Sequence, residues 1–218
     1  MVQWFEERLY DDFSALYRVG SVVYQDKSEH QDLIIFDHDR FGRILALDSI
    51  VQLTTSDEFI YHEMMSHLPI LAHGAARRVL IIGGGDGGVL RHCLMHKSVE
   101  QVTLVEIDQS VIDLSLEYLP MISAGAYDDP RANVIITDGA KFVAETDEKF
   151  DVIIIDSTDP VGPGRVLFDP SFYKSVVGCP TEQGVVVTQS GVPLWEPESS
   201  KLTHDGLKPL VADFGFTR

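Results

Sequence analysis

The chain has 218 residues, of which 44% are hydrophobic, so it can bury a substantial core in one domain or in one domain with a small appendage. Its 34 acidic residues outnumber its 17 lysines and arginines, which gives a formal net charge of -17. This charge excludes nucleic acid and anionic membranes as expected partners and favours cationic ligands, although such acidity can also serve solubility alone.

The sequence features that bear on location favour the cytoplasm. No apolar run approaches the ~20 residues of a membrane span, and the amino terminus lacks the basic start and apolar stretch of a signal peptide. Cys93 and Cys179 are the only cysteines, too few for a disulfide framework. We therefore expect a reducing, intracellular environment.

The pattern of the sequence changes near residue 55. In residues 1–55 short apolar stretches are separated by Asp, His, Gly and Ser turns, which predicts a small antiparallel β domain. In residues 56–218 helical and strand-like segments alternate, which predicts a second, α/β domain.

The second domain is predicted to begin with a helix. Thr55 and Glu58 fit a capping box at the start of the amphipathic segment SDEFIYHEMMSHLPILA. Five short apolar runs then predict buried parallel strands, at 79–82, 102–106, 133–137, 151–156 and 184–189.

This alternation predicts an open, doubly wound, Rossmann-like parallel sheet. In such a sheet, ligands bind beyond the carboxyl ends of the strands. Four of the predicted strands end at, or are closely followed by, an acidic residue: Asp86, Glu106, Asp138 and Asp156. We therefore expect these carboxylates to surround a common site.

The segment IIGGGDGG carries a nucleotide-binding pattern. Gly83, Gly85 and Gly88 satisfy G-x-G-x-x-G, and Glu106 lies at the usual distance for an acid that binds ribose hydroxyls. Glycine permits close approach of the backbone, and one carboxylate can accept both hydrogen bonds of a ribose diol. The pattern alone does not distinguish nicotinamide, flavin and methyl-donor enzymes.

Asp86 narrows the choice of ligand. A carboxylate about 4 Å from a pyrophosphate would oppose its binding by roughly 4 kcal/mol at an effective dielectric near 20. A cationic group would gain from the same contact, so the loop favours an adenosine with a positively charged 5′ substituent, such as a sulfonium nucleoside. The alternative is that Asp86 only caps the following helix.

Two further acidic segments have open interpretations. Asp138 and Gly139 could receive an adenine amino group, or they could simply form a turn and a helix start. Asp156 and Asp159, followed by a Pro- and Gly-rich segment, could bind a cation beneath a movable loop, or they could cap a turn.

A metal site is not expected. His62, Glu63 and His67 have the spacing H-E-x-x-x-H instead of H-E-x-x-H, so the two histidines do not share a helix face well.

The motifs GGGDGG, VEID, DGAKF and DSTDPVGP, with HQDLIIF, ALDSIVQ and DEFIYHEMM before them, resemble those of the polyamine aminopropyltransferases, the spermidine synthases above all. The resemblance runs from Trp4 to the end of the chain. It implies a methyltransferase-type Rossmann-like fold and transfer of an aminopropyl group from decarboxylated S-adenosylmethionine to putrescine, giving spermidine and methylthioadenosine. It also implies a homodimer or homotetramer, with the sulfonium nucleoside as co-substrate and no other cofactor.

The resemblance assigns roles residue by residue. The catalytic carboxylate falls on Asp156, which would orient the attacking nitrogen and accept its proton. Glu106 would hold the ribose and Asp86 the aminopropyl ammonium. The positions that match donor contacts are Gln31, Gly83, Gly85, Asp86, Gly88, Glu106, Asp138, Gly139 (the last two for adenine) and Pro163, in a flexible loop over the site. Those that match diamine contacts are Tyr61, His62, Asp156 and Asp159.

The sequence departs from the family at its carboxyl terminus. The chain ends about where members of the family enter their last two strands, which carry a tyrosine that contacts the diamine. Two alternatives to aminopropyl transfer are kept. An amine N-methyltransferase that uses intact S-adenosylmethionine is one, because related enzymes look similar through the glycine loop and the DSTDP segment. The other follows from the short carboxyl terminus: a non-catalytic subunit that binds polyamine or nucleoside, or that pairs with a complete subunit.

Overall fold

The computed structural model describes residues 2–10, 12–158, 162–190, 201 and 203–207. Within these residues the strands form a two-stranded antiparallel ribbon, a four-stranded antiparallel sheet and a five-stranded parallel sheet. None of the helices in this part of the chain combines the length and apolar character needed to span a bilayer.

The amino-terminal residues form two antiparallel sheets, in agreement with the antiparallel β structure that the sequence pattern predicted. The ribbon consists of β1 (Gln3–Tyr10) and β2 (Phe13–Val19), and the sheet consists, in spatial order, of β3 (Ser21–Lys27), β4 (Asp32–His38), β5 (Gly42–Leu47) and β6 (Ile50–Thr54). Asp48 and Ser49 both have positive φ, as the tight turn between β5 and β6 requires. A domain boundary at residue 55 remains a prediction.

The parallel sheet confirms the predicted doubly wound α/β fold. Its strands are β7 (Arg78–Gly83), β8 (Gln101–Glu106), β9 (Ala132–Ile136), β10 (Phe150–Asp156) and β11 (Pro180–Thr188), in the spatial order β11-β10-β7-β8-β9. The helices are α1 (Glu58–His73), α2 (Gly88–Leu94), α3 (Gln109–Tyr118), α4 (Pro120–Ser123), α5 (Gly139–Glu145) and α6 (Pro170–Val176). The strand order reverses between β7 and β10, which is where ligands bind in open α/β sheets.

Both faces of the parallel sheet are buried, which explains the continuous apolar runs of its strands. On β7, Val79 and Ile81 pack into one core with residues of α1 and α2. Leu80 and Ile82, which point to the opposite face, pack into a second core with residues of α5 and α6. The helices thus hold the carboxyl ends of β7, β8 and β10 in fixed positions.

The predicted capping box at the start of α1 is wrong. The helix begins at Glu58 after Asp57, and no side chain caps it. Thr55, which follows β6, instead contacts β5: its Oγ1 accepts a hydrogen bond from the Arg43 backbone N–H at 3.0 Å. Because the Thr55 hydroxyl is bonded to β5, it does not cap α1 as the local sequence pattern predicted.

Candidate active site

A cavity of about 320 Å³ lies at the carboxyl ends of β7, β8 and β10. The amino-terminal sheet, helix α1 and the 3-10 helix Gly162–Phe168 complete its walls. Of the predicted site residues, those that line it are Gln31, Tyr61, His62, Gly83, Gly85, Asp86, Glu106, Asp138, Gly139 and Asp156. The structure therefore brings together acidic groups from four strand ends.

The glycine loop allows two side chains to approach the backbone. Gly84 has φ 71°, and a Cβ at this position would lie 2.7 Å from Asp156 Oδ2. A Cβ at Gly88 would lie 2.2 Å from the His62 ring. Gly88 is not part of the cavity wall, so its contribution is to leave room for His62.

Glu106 ends β8 and is buried at the cavity wall. Its Oε1 accepts from the Asp108 N–H at 2.9 Å, and its Oε2 accepts from the Gly85 N–H at 3.2 Å. Burial raises the pKa of Glu106 to about 7, although these backbone donors favour the charged form. Each carboxylate oxygen keeps a further lone pair that can accept from a ligand.

Asp138 is the N-cap of α5, and Asp86, one residue before the N-cap of α2, accepts a hydrogen bond from the first N–H of that helix. Asp86 Oδ1 accepts from the Gly88 N–H at 2.7 Å, and Asp138 Oδ1 accepts from the Ala140 N–H at 2.7 Å. Both residues also line the cavity. Capping and a role in the site are therefore compatible at these two positions.

Asp156 ends β10 in the middle of the acidic wall. The Tyr61 hydroxyl donates to its Oδ1 at 2.6 Å, whereas its Oδ2 has no hydrogen-bond partner among the described residues. Burial raises the pKa of Asp156, and the charge of Asp86 raises it further, against the opposing effects of His62 and the Tyr61 hydroxyl. The residue thus offers an unpaired acceptor and a raised proton affinity.

His62 is enclosed between two acids. Its Nδ1 lies 2.5 Å from Glu58 Oε2, and its Nε2 lies 3.4 Å from Asp86 Oδ1. Burial alone lowers the pKa of this imidazole, but Asp86, Asp156 and Glu58 outweigh burial and raise it to about 9.

Two of the predicted site residues, Asp159 and Pro163, are described only in part or not at all. Asp159 lies outside the described residues. The backbone at Pro163 belongs to the 3-10 helix Gly162–Phe168. The flexible loop that the family resemblance implies at this position remains a prediction. Gly164, Val166 and Leu167 of that helix line the cavity.

The second histidine of the H-E-x-x-x-H segment points away from the site. His67 contacts His96 through Nδ1 at 2.8 Å and His92 through Nε2 at 3.2 Å. Among the residues that the structure describes, no group of three or more potential ligands is arranged to hold a metal ion.

Sequence reasoning did not assign a role in the site to four residues that organise it: Glu58, Arg91, Asp108 and Tyr127. Arg91 donates to both oxygens of Glu58, and the i, i+4 spacing of Glu58 and His62 could have indicated their contact. Asp108 accepts from Gln31 Nε2 at 3.0 Å and thereby joins the amino-terminal sheet to the start of α3. The Tyr127 hydroxyl donates to the Gly85 carbonyl at 2.8 Å, a contact that no local pattern signals.

Comparison with known proteins gives consistent matches over nearly all of the chain. A polyamine aminopropyltransferase of Ruegeria sp. (strain TM1040) is 55% identical over 210 residues, which cover 96% of this chain and 74% of that protein. Polyamine aminopropyltransferase 1 of Pseudomonas aeruginosa PAO1 is 52% identical over 212 residues, covering 97% of this chain and 74% of that protein.

Two solved structures share the fold. A spermidine synthase in complex with the transition-state analogue AdoDATO has a TM-score of 0.90 and 39% identity, covering 95% of this chain and 71% of that one. Spermidine synthase from Thermotoga maritima has a TM-score of 0.86 and 37% identity, and the match covers 95% of this chain and 70% of that one.

Two family models match the chain in succession. Residues 3–55 match the spermidine synthase tetramerisation domain, and residues 58–216 match the spermine/spermidine synthase domain. With the fold, the acidic cavity and these matches in agreement, the chain belongs to the spermine/spermidine synthase family.

Proposed function

We propose that this protein transfers an aminopropyl group from decarboxylated S-adenosylmethionine to putrescine, forming spermidine and methylthioadenosine. The observation that carries the proposal is the convergence of Asp86, Glu106, Asp138 and Asp156 on one cavity. Both substrates are cations, and an acidic cavity attracts them while repelling the pyrophosphate of a dinucleotide. The relatives named above as aminopropyltransferases support the same reaction.

The donor occupies the β7–β8 side of the cavity. Glu106 accepts hydrogen bonds from the ribose hydroxyls, and Asp138 with Gly139 contacts the adenine. Asp86 pairs with the aminopropyl ammonium, and Gln31 contacts the donor from the amino-terminal sheet. The supporting observation is that these residues, from four separate parts of the chain, line a single cavity.

The acceptor occupies the side formed by α1 and β10. Asp156, with Oδ1 held by Tyr61, binds and orients the attacking nitrogen. Its raised pKa suits it to accept a proton during the reaction. His62 lines the same side, and Asp159 belongs to the same proposed set.

The reaction is a direct displacement. The lone pair of the acceptor nitrogen forms a bond to the methylene carbon next to sulfur, the carbon–sulfur bond breaks, and its electron pair stays on sulfur. The sulfonium becomes a neutral thioether, so the leaving group is activated before it enters the site. Holding the two reactants in line supplies much of the acceleration.

Oligomeric assembly is part of the proposal. The match of residues 3–55 to a tetramerisation domain supports an oligomer built through the amino-terminal sheets, as a dimer or a tetramer. No cofactor besides the nucleoside co-substrate is required by the displacement.

A product analysis tests the proposed reaction. The protein is incubated with decarboxylated S-adenosylmethionine and an equal mixture of putrescine, cadaverine, agmatine and spermidine, and in parallel with intact S-adenosylmethionine. We expect mass spectrometry to show addition of an aminopropyl group, with putrescine as the preferred acceptor. Addition of a methyl group from the intact donor would establish the N-methyltransferase alternative. No product, with tight methylthioadenosine binding retained, would establish the non-catalytic alternative.

A further inference from the structure

Asp108 is a buried acid behind the donor side of the cavity. It precedes α3, lies two residues after Glu106 and is 2% exposed. Asp108 is not part of the cavity wall, but Gln31 and Glu106, which both line the cavity, are hydrogen-bonded to it. Any effect of Asp108 on a bound ligand must therefore pass through these two neighbours.

Both carboxylate oxygens of Asp108 accept hydrogen bonds. Its Oδ1 accepts from the Ser110 N–H at 3.0 Å and so caps α3. Its Oδ2 accepts from the Ser28 hydroxyl at 2.6 Å and from Gln31 Nε2 at 3.0 Å. These donors stabilise the charged form of the carboxylate, and the two on Oδ2 occupy both of its lone pairs.

The turn between β3 and β4, residues 28–31, is closed by its own hydrogen bonds. The Ser28 N–H donates to the Gln31 carbonyl at 2.9 Å, and Ser28 Oγ accepts from the N–H groups of His30 and Gln31, both at 3.1 Å. The nearest acceptor for the hydroxyl hydrogen of Ser28 is Asp108 Oδ2 at 2.6 Å, since the Gln31 carbonyl lies at 3.3 Å. The turn is thus internally fixed and is joined to the start of α3 by two side chains.

Packing of the amino-terminal sheet on α3 holds this junction in place. Leu33 of β4 shares a buried core with Val111 and Leu114 of α3. At the far end of the helix, Arg43 Nη1 donates to the Tyr118 carbonyl at 2.8 Å. Because the helix is held along its length and at its last residue, its N-cap keeps a fixed position against the turn 28–31.

Asp108 determines which atom of the Gln31 amide is available to a ligand. A carboxylate accepts hydrogen bonds and does not donate them, so the amide must turn its nitrogen toward Asp108 Oδ2. Gln31 Oε1 is then available as an acceptor at the cavity wall. The reversed amide would offer a ligand two N–H groups in place of that oxygen.

The backbone of Asp108 orients a second acceptor. The Asp108 N–H donates to Glu106 Oε1 at 2.9 Å, and the Gly85 N–H donates to Oε2 at 3.2 Å. One residue therefore bonds to Glu106 through its backbone and to Gln31 through its side chain. The two acceptors are held next to each other, as the two neighbouring hydroxyls of a ribose require.

We propose that Asp108 is a positioning residue for the nucleoside donor: it holds Gln31 and Glu106 side by side so that their oxygens accept from the ribose hydroxyls. The inference rests on the proposed aminopropyl transfer and adds to it a residue outside the cavity that determines donor affinity. Because Ser28 and Gln31 belong to the amino-terminal sheet, the donor site is complete only when that sheet is packed on α3.

An exchange of amide and carboxylate between positions 108 and 31 tests this role. In Asp108→Asn the new amide oxygen still caps α3, so its NH₂ group faces Gln31 and turns the Gln31 amide over. Methylthioadenosine affinity, measured by calorimetry, should fall about 10-fold, which is equivalent to about one hydrogen bond. Gln31→Glu brings two carboxylates together and should also weaken binding. The double variant, Asp108→Asn with Gln31→Glu, again pairs a donor with an acceptor and should recover most of the affinity.

Two further measurements distinguish positioning of the ribose from general damage to the fold. For 2′-deoxy- or 3′-deoxy-methylthioadenosine, at least one affinity should fall less than about threefold in Asp108→Asn, because the hydrogen bond that the variant weakens is already absent. In steady-state kinetics, KM for the donor should rise about 10-fold while kcat changes less than about threefold, since Asp156 is unaffected. The matched control is Asp113→Asn, an exposed acid on α3 that also accepts from a glutamine, Gln109, at 2.8 Å.

The outcomes separate this inference from the proposed function. Wild-type affinity in Asp108→Asn, no recovery in the double variant, or an equal loss with methylthioadenosine and both deoxy analogues would overturn the role of Asp108 while leaving aminopropyl transfer intact. If Asp108→Asn melts well below the wild type, Gln31→Glu decides alone, and wild-type affinity in that variant would overturn the role. Absence of methylthioadenosine binding by the wild type, or transfer of a group other than aminopropyl, would overturn the proposed function itself.

Discussion

The Tyr61 hydroxyl donates a 2.6 Å hydrogen bond to Asp156 Oδ1, joining helix α1 to the end of strand β10. This contact fixes one oxygen of the proposed catalytic carboxylate and leaves Oδ2 without a partner among the described residues. A hydroxyl that donates to a carboxylate favours its charged form, so Tyr61 both orients Asp156 and limits the rise in its pKa.

Removal of this hydroxyl should shift the pH dependence of the reaction. In Tyr61→Phe the charged form of Asp156 loses a donor, so the pKa of Asp156 rises and the acid limb of the kcat/KM profile moves to higher pH. A hydrogen bond to a charged group is worth about 1.5–3 kcal/mol, which corresponds to a displacement of about one pH unit or more. Tyr24→Phe, on β3, is the matched control. An acid limb that stays in place in Tyr61→Phe would contradict the coupling.

Loss of the Asp156 charge should impair turnover far more than nucleoside binding. We expect Asp156→Asn to lower kcat by about 10²- to 10⁴-fold, because the attacking nitrogen loses the carboxylate that orients it and accepts its proton. Affinity for methylthioadenosine, measured by calorimetry, should change by less than about threefold, since no donor contact is removed. Asp147→Asn, at an exposed position before β10, should behave as wild type. A kcat for Asp156→Asn close to that of the wild type would contradict the assignment.

Nucleoside affinity should depend on the ionisation of Glu106. In the proposed site the charged carboxylate would accept hydrogen bonds from both ribose hydroxyls, and burial raises its pKa to about 7. Methylthioadenosine should therefore bind more tightly as pH rises from 6 to 8. Glu106→Gln should bind it about 10-fold or more weakly and lose the pH dependence, because two charge-assisted hydrogen bonds are weakened. Calorimetry at pH 6 and pH 8 measures both the affinity and its pH dependence, and Glu100→Gln, at an exposed position, is the control. Wild-type affinity in Glu106→Gln would exclude ribose binding at this residue.

The buried histidine His92 should make the fold sensitive to acid. Burial, followed by Arg91, His67 and His62, lowers the pKa of His92 from its usual 6.5 to about 4. Between these values the unfolded chain binds a proton that the folded chain does not, so stability falls as pH decreases from 6.5 to 4, by at most about 3 kcal/mol.

Thermal denaturation followed by circular dichroism measures this effect. The melting temperature of His92→Gln should fall less between pH 7 and pH 5 than that of the wild type, because the titrating group is absent. His30→Gln, at an exposed position, should follow the wild type. Identical pH slopes for His92→Gln and the wild type would show that His92 does not contribute to acid sensitivity.

The sequence alone determined the sheet and the acids at its edge. Parallel strands that are covered by helices on both faces consist of continuous apolar residues, so the five apolar runs in the sequence identified β7 to β11. Because the carboxyl ends of parallel strands lie at one edge, the residues that follow those runs had to meet there. The positions of Asp86, Glu106, Asp138 and Asp156 in one cavity follow from this rule.

Tertiary structure decided the contacts that give these acids their chemistry. The Tyr61–Asp156 bond, the placement of His62 over Gly88 and the binding of Glu58 by Arg91 depend on how α1 and α2 pack on the sheet. The same packing moved Thr55 from a predicted helix cap into a contact with β5. Sequence periodicity specifies which face of an element is buried, but the distance between atoms of two elements, and the burial that shifts a pKa, arise only when those faces pack together.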